Sequence, residues 1–351
     1  MPKSSNILKT GRKLLISIIG LVLLFAVIRF FSFFTTTDEA DRIYTTNFLK
    51  DYNIYAISTP EALEFCGEPV PLEDQNIRER FDREVLSNTY FQSNTLLYLK
   101  GVNRWFPVIE PILKEYGIPE DFKYLPLIES NLMNVISPAG ATGYWQLMKA
   151  TAKQYGLEVN EQVDERYDMK IATVAACKYL KYAHETLGSW TLAGAAYNMG
   201  IDGIKRQLQK QKTDNYYDLY LNTETSRYIF RLLAIRDIVS HPDKYGYHFR
   251  KKDLYVNVPS HELKVDTTIA NLATFAISQN INYRILKIHN PWLRRNNLPN
   301  KSRKKYTIII PDSGYFVFTQ GERDSGLINA DSLGMGVKLD SLAPSDSTNN
   351  E

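Results

Sequence analysis

One acidic residue follows an apolar run in a pattern that could support acid catalysis. Glu129 and Ser130 come directly after Leu125-Pro126-Leu127-Ile128. Burial beside apolar side chains raises the pKa of a carboxyl group, so such a glutamate can hold a proton near neutral pH and act as a general acid. A lone glutamate beside core leucines is more often a surface residue of a helix. Whether Glu129 is a catalytic or a surface residue therefore depends on the motifs that accompany it.

A loop of small residues follows, from Ser137 to Gly143, and it leads into Tyr144-Trp145-Gln146. Small residues let a ligand approach the backbone, while an aromatic ring and an amide can stack on and hydrogen-bond to a sugar. We therefore expect Ser130, Ser137, Trp145 and Gln146 to bind substrate. Trp145 could equally be a core residue, because large aromatic side chains often pack in cores.

Two later segments add polar groups at helix ends. Ala196-Tyr197-Asn198 lies at the end of a predicted helix whose packing face consists of small residues. Tyr228 lies near the start of a long amphipathic helix. Close helix packing explains the alanines but does not require the polar pair. We expect Tyr197, Asn198 and Tyr228 to bind substrate, with core packing an equal alternative for Tyr197.

A second catalytic carboxylate is missing from the neighbourhood of Glu129 in the sequence. A two-carboxylate glycosidase needs another Asp or Glu roughly 5–10 Å from the acid. No acidic residue stands between Ser130 and Leu157. Glu165 or Glu224 could still fold back toward Glu129, so this alternative stays open.

These motifs together resemble those of the lytic murein transglycosylases, whose lysozyme-like domain carries E-S, G-x-x-Q and A-Y-N motifs and a late Tyr. Glu129-Ser130, Gly143-Tyr144-Trp145-Gln146, Ala196-Tyr197-Asn198 and Tyr228 match them in turn. The preceding Leu125–Ile128 run and Asp164-Glu165-Arg166 are most similar to the membrane-bound lytic transglycosylase D subgroup. The resemblance covers about residues 80 to 245.

The resemblance implies a peptidoglycan lyase that cleaves the β-1,4 bond between N-acetylmuramic acid and N-acetylglucosamine without water. Glu129 would be the single catalytic residue, first acid and then base, and the product would be a 1,6-anhydro sugar. The substrate's N-acetyl group would stand in for the absent second carboxylate. A hydrolytic muramidase of the same fold and a non-catalytic peptidoglycan-binding scaffold are the alternatives.

Composition and charge exclude several other classes of protein. The 351 residues are 44% hydrophobic and 23% charged, as in ordinary globular chains. The net charge of +3 is exceeded by the basic residues of the first 29 positions alone, so the remainder is slightly acidic and nucleic acid is not an expected partner. Two cysteines and five scattered histidines match no metal-binding spacing, and we expect neither metal nor cofactor.

The N-terminus has the pattern of a membrane anchor. Residues 14–34 are almost entirely apolar and long enough, at about 30 Å as a helix, to span a bilayer. Basic residues precede them and acidic residues follow, which predicts a cytoplasmic segment 1–13 and a catalytic body in the periplasm of a Gram-negative-type envelope. A cleaved signal peptide is the alternative, although no small-x-small cleavage site is evident.

The rest of the chain is predicted to be mainly α-helical. We expect a linker at 35–75, a lysozyme-like helical domain at 76–248, a small α+β module at 253–312 and a disordered tail at 313–351. In the module, Tyr255, Val256 and Val258 suggest one strand and residues 306–310 another. The module resembles a degenerate LysM domain, which would bind sugar or only brace the catalytic domain. Partners other than glycan strands and the membrane are not identified.

Overall fold

The computed structural model describes residues 54–312 together with 19–21, 23–25, 39, 41–44 and 46–47. The chain forms two compact units, Met1–Ala56 and Ile57–Glu351. The described residues of the first unit between 19 and 47 are helical, and residues 54–56 have no regular secondary structure. Within the described part of the chain, no helix is both long enough and apolar enough to cross a bilayer. Most of the predicted span 14–34, the segment 1–13 and the predicted tail 313–351 lie outside the described residues.

The second unit begins with a short hairpin and continues as a set of helices. The hairpin pairs β1 (Glu64–Phe65) with β2 (Glu68–Pro69). The helices that follow are α1 (Gln75–Tyr90), α2 (Gln92–Tyr116), α3 (Leu125–Ser130), α4 (Lys149–Gln154), α5 (Met169–Leu187), α6 (Trp190–Met199), α7 (Ile201–Gln211) and α8 (Thr223–Ser240). Short 3-10 helices at Glu120–Tyr124, Glu165–Tyr167, Tyr216–Asp218, Pro242–Tyr245 and Lys251–Asp253 connect them.

Local sequence signals begin and end these helices. Asp74 and Asp168 cap α1 and α5 by accepting hydrogen bonds from backbone N–H groups of the first turn. Gly117 and Gly188 end α2 and α5 with φ angles of 68° and 76°, the left-handed region that glycine enters without steric cost. These boundaries fix where each helix presents its apolar face.

Helix α8 is the centre of this helical domain. It is buried on most of its circumference, as expected for a helix that is apolar on several faces. It packs against α1, α3 and α6. Because α3 ends in Ser130 and α6 in Met199, α8 brings the segments that carry the E-S and A-Y-N motifs to one place.

The C-terminal module has the order β3 (Ser260–Val265), α9 (Leu272–Ser278), α10 (Tyr283–His289) and β4 (Tyr306–Pro311). The two strands are antiparallel, from Ser260 opposite Pro311 to Val265 opposite Tyr306. The terminal strand was correctly predicted, and the mainly helical fold with a small α+β module is confirmed.

The first strand of the module is displaced from its predicted position. Tyr255 and Val256 do not pair with β4; their backbone groups bond to Lys100, Asn103 and Arg104 of α2. Extended, β-branched sequence fits either partner, which is why the prediction of a strand there was wrong. These hydrogen bonds connect the segment that precedes β3 to helix α2 of the helical domain.

Candidate active site

Glu129 lies in the last turn of α3, beside a sharp change in chain direction. The helix ends at Asn131, which has a φ of 55°, and the N–H of Asn131 bonds to the Leu127 carbonyl. Leu125, Leu127 and Ile128 are buried in the core, whereas Glu129 is half-buried. Met133, which lies in the loop after Glu129, is exposed.

The surroundings of Glu129 favour its neutral form. Burial raises the pKa of its carboxyl group to about 7, because an ionised carboxylate loses hydration there. The hydrogen bond from Tyr228 and the positive charge of Arg231 act in the opposite direction, and the negative charge of Glu224 adds to the rise. The carboxyl group is therefore able to release and recover a proton near neutral pH.

Three residues of α8 form the charged and hydrogen-bonding face toward Glu129. Glu224, Tyr228 and Arg231 are spaced by four and three residues, so they share one face of the helix. The Tyr228 hydroxyl donates a hydrogen bond to Oε1 of Glu129. Burial and the nearby Glu129 raise the pKa of Tyr228, so its hydroxyl keeps its proton and stays a donor. The sequence analysis did not identify Arg231, although its spacing from Tyr228 places it on the same face of α8.

The loop after α3 is fixed by its own backbone. Ser137 Oγ accepts a hydrogen bond from Ala141 N at 3.0 Å, and the N–H groups of Gly143 and Leu147 bond to the carbonyls of Val135 and Thr142. Ser137, which was predicted to bind substrate, is half-exposed, and its hydroxyl oxygen is already used in a hydrogen bond within the loop. The exposed side chains of Met133, Ile136 and Met148 lie in the same loop region.

Position 143 requires a glycine because the backbone of Arg166 lies too close to leave room for a side chain. The φ of Gly143 is 82°, and a Cβ atom at this position would stand 1.9 Å from the carbonyl oxygen of Arg166. No larger residue fits without moving that backbone. The glycine of the G-x-x-Q motif therefore lets the loop approach the segment that carries Arg166.

The side chain of Gln146 stabilises the loop by hydrogen bonds to the loop's own backbone. Its Nε2 donates to the carbonyl oxygens of Gly143 at 2.8 Å and Val135 at 3.0 Å. Its own φ of 47° lies in the left-handed region. The amide nitrogen thus bonds to the loop, and a role for Gln146 in sugar binding falls to its amide oxygen.

Two predicted substrate-binding residues are structural instead. Trp145 is fully buried, and its Nε1 donates to Thr173 Oγ1 at 2.8 Å, so its ring face is not available to a sugar. Ser130 is buried, and its Oγ donates toward the carbonyls of Pro126 at 3.0 Å and Tyr144 at 2.6 Å. Both predictions are corrected, since the sequence alone did not show which way these side chains face.

Tyr197 and Asn198 stand between the loop and α8. The Tyr197 hydroxyl donates to the Trp145 carbonyl at 2.7 Å. Asn198 donates to Glu224 Oε1 at 2.9 Å and accepts from Thr225 Oγ1 at 2.7 Å. Asn198 is half-exposed and held in one orientation, with hydrogen-bonding capacity left on both amide atoms.

The two acidic residues that could fold back toward Glu129 lie in different places. Glu165 accepts a hydrogen bond from Glu158 N and pairs with Lys304 at 2.8 Å, in the contact with the C-terminal module. Glu224 is close enough to raise the pKa of Glu129. Of these two, Glu224 is therefore the candidate second carboxylate.

Neither cysteine belongs to the site. Cys66 and Cys177 are free thiols, and Cys177 is buried in the helical core. Among the described residues, no group of three or more His, Cys, Asp or Glu is placed to hold a metal ion.

Known families match both parts of the second unit. Residues 107–220 match the transglycosylase SLT domain, and residues 261–314 match the soluble lytic transglycosylase C-terminal LysM-like domain. The chain is 28% identical over 191 residues to membrane-bound lytic murein transglycosylase D of Escherichia coli (strain K12), covering 52% of this chain and 41% of the relative. It is 31% identical over 102 residues to a putative tributyltin chloride resistance protein of Alteromonas sp. (strain M-1), covering 28% of this chain and 49% of that one.

Two solved structures show weaker likeness. An inactive mutant of the lytic transglycosylase Slt from Pseudomonas aeruginosa is 21% identical with a TM-score of 0.33, covering 38% of this chain and 23% of that one. The 70 kDa soluble lytic transglycosylase from Escherichia coli is 22% identical with a TM-score of 0.32, covering 39% and 24%. At these TM-scores neither likeness carries a structural conclusion.

The family matches assign two parts of the chain: an SLT transglycosylase domain at 107–220, followed by a LysM-like domain at 261–314. The predicted resemblance to the lytic murein transglycosylases is confirmed, with homology to membrane-bound lytic murein transglycosylase D. The chain matches less than half the length of each curated relative.

Replacing Gly143 should damage both stability and the site, and Gly140 provides a matched control. Both glycines have positive φ, but a Cβ at Gly140 meets open space. Gly140→Ala should cost about 1–2 kcal/mol of unfolding free energy from backbone strain alone. Gly143→Ala should cost about 1–3 kcal/mol more, because the Arg166 carbonyl must move. Chemical denaturation measures both, and equal losses would contradict the steric role of Gly143.

The raised pKa of Glu129 should reduce stability at alkaline pH. The folded state holds this proton up to pH of about 7, against a reference value of 4.5, so stability falls as pH rises between these values. Glu129→Gln removes this titration. On going from pH 4 to pH 8, we expect the unfolding free energy of the variant to rise by about 3 kcal/mol relative to that of the wild type. A difference between variant and wild type that is the same at both pH values would refute the raised pKa.

Proposed function

We propose that this chain is a peptidoglycan lytic transglycosylase that cleaves the bond between N-acetylmuramic acid and N-acetylglucosamine without consuming water. The single observation that supports the proposal most is the half-buried Glu129, whose pKa of about 7 suits both directions of proton transfer. The SLT domain match and the homology to a lytic murein transglycosylase support the same reaction class.

In the first step Glu129 acts as the general acid. Because Tyr228 donates to Oε1, the proton of the neutral carboxyl group is carried by Oε2. From there it passes to the glycosidic oxygen, and the bond from that oxygen to C1 of the muramic acid breaks. The N-acetylglucosamine leaves with a new 4-hydroxyl group. The hydrogen bond from Tyr228 and the charge of Arg231 stabilise the resulting carboxylate.

In the second step the same residue acts as the base. The C6 hydroxyl of the muramic acid attacks C1 and gives its proton to Glu129, which restores the starting acid. The product is a 1,6-anhydro ring, and no water enters the balance. A lone carboxyl group is sufficient for this cycle, whereas hydrolysis requires a second carboxylate or an activated water.

Substrate contacts are assigned by exposure and remaining hydrogen-bonding capacity. Asn198, the amide oxygen of Gln146 and the half-exposed Tyr197 would hold sugar hydroxyl or amide groups. Ser137 would contribute through the exposed edge of the loop. Tyr228 acts on the sugar through Glu129 rather than by a separate site.

Hydrolysis by the same fold is the second candidate, and the proximity of Glu224 favours it. In that reaction Glu224 would serve as nucleophile or as base for a water molecule. Glu224 is exposed, and one oxygen of its carboxylate accepts a hydrogen bond from Asn198, which makes it the weaker assignment. A non-catalytic scaffold is the third, and it has no use for a raised pKa at Glu129.

The envelope location is proposed from homology to a membrane-bound relative. A membrane anchor at residues 14–34 and a periplasmic catalytic domain remain predictions from the sequence.

Two glutamine variants separate these reactions. Purified sacculi are digested with the full chain, and the fragments are weighed by mass spectrometry. The proposal expects products with anhydro ends, one water lighter than reducing ends. Glu129→Gln should lose at least about 100-fold in rate, the contribution of a positioned general acid. Glu224→Gln should keep the anhydro products and lose far less activity than Glu129→Gln, since Glu224 only adds to the raised pKa of Glu129.

Reducing ends, together with a comparable loss in Glu224→Gln, would instead establish hydrolysis. Full activity of Glu129→Gln would exclude both mechanisms. Absence of products from the wild-type chain would leave the scaffold function.

A further inference from the structure

The segment from Glu158 to Tyr167 lies between the loop of the candidate active site and the C-terminal module. On the loop side, the guanidinium group of Arg166 forms a two-point contact with Asp164, with distances of 2.9 and 2.7 Å. Its remaining nitrogen donates to the carbonyl oxygens of Leu147 at 3.1 Å and Gly140 at 3.3 Å. Arg166 therefore bonds to both ends of the Gly140–Leu147 segment.

This contact is shielded from solvent. The side chains of Arg166 and Asp164 are only 9% and 10% exposed. The planar fork of arginine fixes direction as well as distance, which lysine does not. The Arg166 carbonyl also stands directly against Gly143. The position of the loop thus depends on the position of Arg166 by two independent contacts.

The other side of the segment is held by the C-terminal module. Asp164 N donates to the Trp292 carbonyl at 2.9 Å, and Arg294 N donates to the Gln162 carbonyl at 2.7 Å. Between these bonds Val163 pairs with Leu293. The segment is therefore joined to the module by main-chain hydrogen bonds.

Side chains reinforce this junction. Val163 and Tyr167 belong to the hydrophobic core of the module rather than to that of the helical domain. Lys304 bridges Glu158 at 2.7 Å and Glu165 at 2.8 Å. The Arg294 guanidinium lies 3.9 Å from the centre of the Tyr167 ring. The module contacts the segment through backbone, apolar and charged groups together.

The loop in turn contacts the surroundings of Glu129. The Tyr144 carbonyl accepts from Ser130, the neighbour of Glu129, and the Trp145 carbonyl accepts from Tyr197. If the loop moves, both contacts move, and water reaches the carboxyl group.

We propose that Arg166 is a positioning residue for the catalytic loop, and that the LysM-like module acts as a brace that holds Arg166 in place. The module then contributes to catalysis through the segment 158–167, without touching the sugar at the cleavage site. This inference rests on the proposed function for its kinetic part only.

A charge reversal at Lys304 tests the brace in the full chain, with Lys301→Glu as the matched control. Lys301 is exposed in the same turn of the module. Lys304→Glu places a third carboxylate beside Glu158 and Glu165 and should loosen the junction. Hydrogen exchange should become about 10-fold faster or more at the amides of Gly143 and Leu147, and Lys301→Glu should leave it unchanged. This measurement requires no enzymatic activity.

The pH profile gives a readout that simple loss of folded protein would not move. The groups facing Glu129 are Tyr228, Arg231 and Glu224 of α8 and Tyr197 of α6, and none of them is changed. Loosening the loop hydrates Glu129 and lowers its pKa, so the protonated acid is lost at lower pH. The alkaline limb of kcat/KM should move downward by roughly half a pH unit or more in Lys304→Glu and in Arg166→Lys.

A charge-exchanged double variant tests whether the effect of Lys304→Glu can be reversed. The exchanged pair Glu158→Lys with Lys304→Glu restores opposite charges and should restore both the loop protection and the pH limb. Unchanged loop exchange in Lys304→Glu, or an activity loss with an unmoved alkaline limb, would overturn the positioning role. Inactive wild-type protein would refute the proposed function alone, since the exchange result would still report on the brace.

Discussion

The proposed chemistry depends on the partial removal of water from one carboxyl group, that of Glu129. Burial raises the pKa of Glu129 to about 7, and the Tyr228 hydrogen bond and the Arg231 charge limit the rise. A higher pKa would give a poor acid, and a lower one would leave no proton to donate. The balance requires a fixed wall around Glu129, because greater exposure to water would favour the ionised carboxylate and lower its pKa. The surrounding helices and loop are therefore as important to the proposed reaction as the glutamate itself.

That wall is assembled from elements far apart in the chain. Helix α8 presents Tyr228 and Arg231, and α6 presents Tyr197. The loop bonds to Ser130 of α3 through the Tyr144 carbonyl oxygen and to Tyr197 of α6 through the Trp145 carbonyl oxygen. Its path is set by a glycine that permits close approach and by an arginine that bonds to its two ends. Polar groups that resemble substrate ligands in the sequence are thus partly used to build the loop, which explains why its motif combines glycine with an amide.

The sequence pointed to side chains that the structure brings together, Glu129 and Tyr228, better than to the contacts that support them. Glu129 and Tyr228 were identified because their motifs recur in a known order, and the helical domain because its apolar residues repeat at helical spacing. Trp145 and Ser130 were misassigned, since a residue type does not reveal whether its side chain faces a groove or the core. Arg231 required only the spacing along α8. The packing of Val163 and Tyr167 into the module was not predictable, because contacts between distant segments depend on tertiary structure that no local pattern encodes.

The most direct test of the central claim is the pKa of Glu129 itself. A carbon-13 NMR titration of glutamate-labelled protein, with Glu129→Gln to assign the signal, would follow this one carboxyl group through pH 3 to 9. The account predicts a midpoint near 7. A midpoint near the reference value of 4.5 would show that the group is hydrated and ionised at neutral pH, and would contradict the proposed acid.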